Sequence, residues 1–134
     1  MKTNTLIPLK CTEDSFYRLW VEFLAPFHKL TTRERDVAAR VIAQYVKLRQ
    51  SISDPAVLDE VLWSQTSRND MRESLKMSKP YFQMVVGKLR EVGIITETGI
   101  NSRFLPHMTD NPRYILSVVF DWSSPSNPIR KDEE

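Results

Sequence analysis

Apolar residues recur at helical spacing through the first two-thirds of this chain and alternate like a strand only near its end. Phe16, Trp20, Phe23, Leu24 and Phe27 fall at i, i+4, i+7, i+8 and i+11, which predicts a helix over residues 13–24 that Pro26 ends. So many large aromatics on one stripe either dock on the main core or form a dimer or partner surface, with Phe16, Trp20 and Phe23 as its contacts. A second helix has the clearest start in the chain. Thr31 and Glu34 are spaced as a capping box, and Leu30 and Arg35 occupy the hydrophobic-staple positions, where arginine is a poor staple. Val37, Ala38, Val41, Ile42, Tyr45, Val46 and Leu48 then keep the helical period to about Arg49. Asp54 followed by Pro55 starts a third, short helix with Val57, Leu58, Val61, Leu62 and Trp63, broken by residues 64–67.

Residues 67–93 repeat this chemistry twice in close succession. Ser67 with Asp70 is a cap pair for a helix that turns Met71 and Leu75 inward and ends near Lys76. Ser78 follows as an N-cap, and Phe82, Val85, Val86 and Leu89 mark the buried face of a helix stopped by Gly93. A short helix, a tight turn and a second helix with an i, i+3, i+4, i+7 stripe is the helix-turn-helix arrangement.

Beyond it, Ile94, Ile95 and Thr96 predict a strand. Residues 114–122 read as the strongest strand in the chain, with Tyr114, Leu116, Val118, Phe120 and Trp122 on one side and Ile115 and Val119 on the other. Two such strands joined by residues 97–112 would form a wing with a long tip, and loops of that length are commonly functional or mobile. From Ser123 onward Ser, Pro, Asn and charge dominate, which predicts a flexible charged tail over 123–134.

Composition adds limits. The 134 residues fit one domain, at 41% hydrophobic and 27% charged. A single cysteine, Cys11, forms no internal disulfide or C-x-x-C pair. With no signal-peptide pattern at the start, this points to a cytoplasmic protein, or one of host cytoplasm and virion if phage-encoded. No apolar run approaches the ~20 residues that span a bilayer, so no membrane partner is expected. Net charge is +2. Residues 66–113 hold eight basic against five acidic groups and residues 114–134 two against four, a mild basic bias short of a dense nucleic-acid patch.

The run Arg72-x-x-Leu75-x-Met77-Ser78-x-x-x-Phe82-x-x-x-Val86-x-x-Leu89-x-x-x-Gly93-Ile94-Ile95 resembles the core of the winged helix-turn-helix family. The opening Leu30-Thr31-Thr32-Arg33-Glu34-Arg35-Asp36-Val37 is similar to short winged-helix proteins encoded by tailed phages and mobile elements. The resemblance covers about residues 31–122 and implies an α+β, mostly helical fold: a winged helix-turn-helix preceded by an aromatic-rich helix within 1–30 and followed by a small C-terminal β-wing. It implies double-stranded DNA binding, with the helix after Ser78 in the major groove and the wing against the backbone. Winged helices also serve as protein-docking modules.

With Phe82, Val85, Val86 and Leu89 inward, that helix turns Pro80, Met84, Gly87 and Glu91 outward. None of these reads a base edge bidentately, and Glu91 repels phosphate. Its flanks carry Lys79, Tyr81, Gln83, Lys88 and Arg90, while Ser78 sits at its N-terminus. Arg68 and Arg72 on the preceding helix and Arg103 and Arg113 around the wing complete a candidate DNA surface, although each alone is an ordinary solvated side chain. The set favours backbone positioning over sequence readout. Outward Met84 and Gly87 suit a protein contact, so the alternative is a structural or adaptor component of a larger assembly such as a phage particle, with a homodimer or other subunits as partners. His28 and His107 lie far apart with no carboxylate at metal-ligand spacing, and the three glycines form no phosphate loop. The reading is therefore non-enzymatic, with no catalytic residues, cofactor, metal or small-molecule substrate.

Overall fold

Thr31 begins the central helix as the spacing requires. Its hydroxyl accepts from the Glu34 amide at 3.3 Å while the Glu34 carboxylate accepts from the Thr31 amide at 2.9 Å. In the computed structural model, which describes residues 6–123, this helix is the third of six. The elements are α1 (Glu13–Phe23), α2 (Ala25–His28), α3 (Thr32–Arg49), α4 (Pro55–Leu62), α5 (Gln65–Leu75), α6 (Lys79–Glu91), β1 (Ile95–Thr96) and β2 (Gly99–Ile100), followed by a 3-10 turn over Ser102–Phe104. The fold is α+β and mostly helical. α3 is the axis of the core, with Val37, Ala38, Val41 and Ile42 essentially out of water and α1, α4, α5 and α6 packed around it. None of the described helices is long and apolar enough to cross a membrane.

The first helix buries a different stripe from the one its aromatics predict. Tyr17, Trp20 and Val21 face the core and Phe16 is half-covered, but Phe23 is 52% exposed and Phe27 75%. The apolar residues cover a little more than half of this helix's circumference, so two overlapping stripes share Trp20 and Leu24, and packing against α3 selects between them. A box between Thr12 and Ser15 caps α1. Pro26 does not merely end it: Pro26 lies in the first turn of α2, where its missing N–H costs nothing. At the end of that turn His28 is buried. Its Nε2 donates to the Val21 carbonyl at 2.8 Å, and its Nδ1 accepts from the Leu30 amide at 2.9 Å. The ring thus closes the bend that lets α1 fold back along α3.

Charged groups fasten these two helices from outside. Arg18 reaches Glu22 at 2.6 Å and Asp36 at 2.8 Å, Arg35 reaches Glu22 at 2.6 Å, and Arg33 reaches Asp36 at 3.2 Å. The staple position of Arg35 is filled by a hydrogen bond, Nε to the Leu30 carbonyl at 2.9 Å. Burial works to lower the Arg18 pKa, but bonds to Asp36 and Glu22 outweigh it and the pKa rises. The bond from Arg18, with the charge of Arg35, holds Glu22 below its ordinary 4.5. Because the folded value lies below the unfolded one, this contribution is complete above pH 4.5 and disappears as pH falls through the folded value. Urea midpoints measured from pH 7 to pH 3 are expected to fall more steeply for the wild-type chain than for Glu22→Gln. Parallel profiles would show that the pair contributes nothing.

The later segments depart from their spacing as well. The N-cap of α5 is Ser64, which accepts from the Ser67 amide at 3.3 Å; Ser67 is buried and its hydroxyl accepts from Gln44 Nε2 at 3.0 Å. The predicted strand over 114–122 is absent as a strand. β1 pairs instead with β2 across a two-residue turn, Ile95 opposite Ile100 and Thr96 opposite Gly99. A hairpin closed by two residues forms with a far smaller loop than one closed by 97–112, and Gly99, at φ +130°, brings its backbone against the Tyr45 ring where a Cβ would sit 3.3 Å away. The 97–112 segment is therefore no open wing tip. Phe104 and Pro106 are buried, and Trp20 Nε1 donates to the Phe104 carbonyl at 2.9 Å. Of the expected charged tail, residues 124–134 lie outside the described residues.

Candidate nucleic-acid interface

The surface singled out above is built on α5, the turn after it and α6. α5 ends with Lys76 in the left-handed conformation at φ 55°, where the Met77 amide bonds back to the Arg72 carbonyl at 3.1 Å. Met77 is buried, and Ser78 caps α6 by accepting from the Tyr81 amide at 3.3 Å. α6 then seats Phe82, Val85, Val86 and Leu89 in the core, as their spacing predicts. Gly93 terminates it at φ 87°, with Ile94 N–H bonded to the Leu89 carbonyl at 3.0 Å, and the chain passes straight into β1. Asn101 ties the far side of the hairpin to this point, its Nδ2 donating to the Gly93 carbonyl at 3.0 Å.

The candidate side chains divide by what they already hold. Arg72 is half-buried and donates to the Met77 carbonyl and to Asn69 Oδ1, both at 3.3 Å, so it braces the turn between α5 and α6. Lys88 pairs with Glu91 at 3.6 Å, and the Arg90 guanidinium lies 5.4 Å from the Trp63 ring centroid. Tyr81 is half-buried against the core, while Gln83 is exposed on α6. Arg68, Lys79, Arg103 and Arg113 are exposed and make no ion pair among the described residues. Lys79 and Ser78 sit beside Arg72 at the start of α6. Arg103 follows Asn101 at the other end, and Arg113 lies beyond Pro106 in the extended chain.

The contact residues separate in the same way. Trp20 is internal. Phe16 is half-covered, with its ring 5.3 Å from Tyr17, 6.3 Å from Trp20 and 5.2 Å from Tyr114. Phe23 stays exposed, Met84 is 62% exposed, and a Cβ at Gly87 would meet nothing within 4 Å.

A wide groove of about 830 Å³ runs between α1, α3 and the end of α5 and went unread in the sequence. Its walls mix Arg18, Arg33, Arg40 and Lys76 with Glu13 and Asp14. Arg33 spends donors on Asp36 and on the Leu75 carbonyl at 2.6 Å. Arg40 bonds Ser74 Oγ and Gln44 Oε1, both at 2.8 Å, and burial lowers its pKa against the opposing charges of Asp70 and Asp14. The groove is thus a set of braces between helices, and only the arginine spacing on α3 hinted at it. Burial and the charge of Glu13 raise the Tyr17 phenol on its wall. Among the described residues no three His, Cys, Asp or Glu side chains gather where a metal ion could be held. Cys11 is exposed, whereas both ring nitrogens of His28 are bonded to backbone. Compared with protein-family models, curated proteins and solved structures, the chain matches none.

Proposed function

We propose that this chain is a small winged helix-turn-helix protein without catalytic activity, binding double-stranded DNA mainly through the phosphate backbone in cytoplasmic transcriptional or replication control. The observation that carries this reading is the order α5, three-residue turn, α6 and hairpin, with the outer face of α6 in water and Arg68 and Lys79 exposed beside its start. Arg103 near the hairpin and Arg113 extend the cationic set, while Met84 and Glu91 leave the helix poor at reading bases. Binding is therefore expected to tolerate sequence.

Anisotropy of a labelled random duplex is expected to show micromolar binding at low salt. With about four phosphate contacts, a fourfold rise in salt should weaken it roughly 100-fold. Arg68→Ala and Lys79→Ala should each weaken binding uniformly across sequences and reduce the salt slope by about 1. Absence of binding at low salt would overturn the reading. The exposed Met84 and the open surface at Gly87 favour a second one, a protein-docking winged helix within a larger assembly. In that case Met84→Glu would abolish partner binding while Arg68→Ala would not.

A further inference from the structure

Residues 114–122 leave the core without regular secondary structure, and both alternating sets of their side chains are exposed to water. Exposure runs from 37% at Tyr114 to 82% at Val119, and Phe120 and Trp122 are nearly as open as Val119. Among the described residues, none of their backbone N–H or C=O groups bonds to another backbone group. Among the described residues, the ring contacts and the side-chain hydrogen bond that tie the segment to the core are at its start. There the Tyr114 ring lies 5.2 Å from Phe16 and 5.7 Å from Trp20, and its hydroxyl accepts from the His107 amide at 3.0 Å. Between Tyr114 and Trp122 there is one charge, Asp121, and neither proline nor glycine. Such an unpaired, mostly apolar edge with a single charge is what soluble chains normally blunt or cover.

We propose that this segment is the pairing strand of a symmetric homodimer, its occupant being the same segment of a second copy in antiparallel register. Area supports this. Large apolar side chains carry ~150–250 Å² each, so those of this segment leave on the order of 900 Å² in water. Even divided between two faces, it is comparable with the ~300–600 Å² largest patch of an ordinary monomer. It matches the ~800 Å² that each partner contributes to a stable interface.

Self-complementarity supports it further. A two-fold axis at Val118 sets Tyr114 opposite Trp122 and Leu116 opposite Phe120, so one face of the new ladder is wholly apolar and carries two kinds of favourable cross-strand pair. The lone Asp121 faces Ile115 rather than its own copy. Trp122 of one copy also arrives beside the Phe16–Trp20–Tyr114 cluster of the other, on the α1 face from which Phe23 projects. An isologous contact of this kind closes after two copies. The proposal does not depend on DNA binding.

Sedimentation equilibrium of the full chain without DNA is expected to give a dimer at micromolar concentration. Val118→Lys with Phe120→Lys should give a monomer with an unchanged helical circular dichroism spectrum, because both side chains are exposed in the isolated fold. In a Cys11→Ser background, Val118→Cys should oxidise to a disulfide-linked dimer, since directly opposed strand residues lie ~4.5–5.5 Å apart at Cα, within disulfide reach. Tyr114→Cys should not cross-link. A wild-type chain that stays monomeric, a dimer that survives the double lysine variant, or open-ended oligomers would each overturn the proposal, the first in favour of a different protein as occupant.

Discussion

Phe82→Ala is expected to remove about 3–5 kcal/mol of folding stability, the usual cost of truncating a fully buried phenylalanine. The ring lies on the inner face of α6, is 2% exposed, and belongs to the core that joins α6 to α3. The loss has two parts. The apolar surface of the ring returns to water in the unfolded comparison, and a cavity remains because α3 and α6 are both held elsewhere and collapse only partly. A domain of this size has about 5–15 kcal/mol in total, so the loss is a large share of it and the urea midpoint should fall accordingly. Urea denaturation followed by circular dichroism checks this, with Met84→Ala as the control. Met84 lies on the same helix but faces water, and its substitution should stay within about 0.5 kcal/mol. A loss below about 1 kcal/mol for Phe82→Ala would mean that α6 is held by something other than its apolar face.

Trp20→Ala should cost a similar amount, about 3–5 kcal/mol, for a different combination of reasons. Trp20 is buried between α1 and the segment after the hairpin, and its indole N–H donates to the Phe104 carbonyl 84 residues away. Its ring also stacks with Phe16 and meets Tyr114 edge-on. Trp20→Phe keeps much of the ring area but leaves the Phe104 carbonyl unpartnered, which by itself costs about 1–3 kcal/mol. The two substitutions therefore separate packing from the hydrogen bond. If Trp20→Phe were neutral, water would be reaching the Phe104 carbonyl, and α1 would be held by packing alone. Because Tyr114 rests on the same cluster, Trp20→Ala should also loosen the anchor of the proposed pairing strand and weaken the dimer. Phe82→Ala should affect dimerisation only through unfolding.

Local chemistry was legible wherever one short stretch of chain satisfied its own needs. The capping box at Thr31 and Glu34, the Asp54 and Ser78 caps and the Gly93 terminator all occur where their spacing places them, because each is a bond between a side chain or a backbone turn and amides a few residues away. The inward faces of α3 and α6 follow from one unambiguous stripe each. The cationic residues were legible as a set, but their duties were not. Nothing in the spacing of Arg72 separates an arginine that braces a turn from Arg68, which faces water.

What the tertiary structure decided are the places where two local solutions were nearly equal or where a partner lay far along the chain. Ser64 and Ser67 are three residues apart and either can cap a helix; Gln44, arriving from α3, takes the Ser67 hydroxyl and leaves the cap to Ser64. The two stripes of α1 differ by little in apolarity, and contact with α3 turns Tyr17 inward and Phe23 out. The role of His28 depends on Val21 and Leu30 being brought to its two nitrogens by a bend. Residues 114–122 have strand-like alternation, but a strand exists only when another backbone accepts its hydrogen bonds, and β1 had already paired with β2 across two residues. The sequence by itself thus determined the main helices and those ends that a cap or a glycine marks within a few residues, since those are local bonds and rotamer preferences. Which of its two stripes α1 buries, which serine caps α5, and that 114–122 finds no strand to pair with in its own chain are settled only by groups distant along the chain.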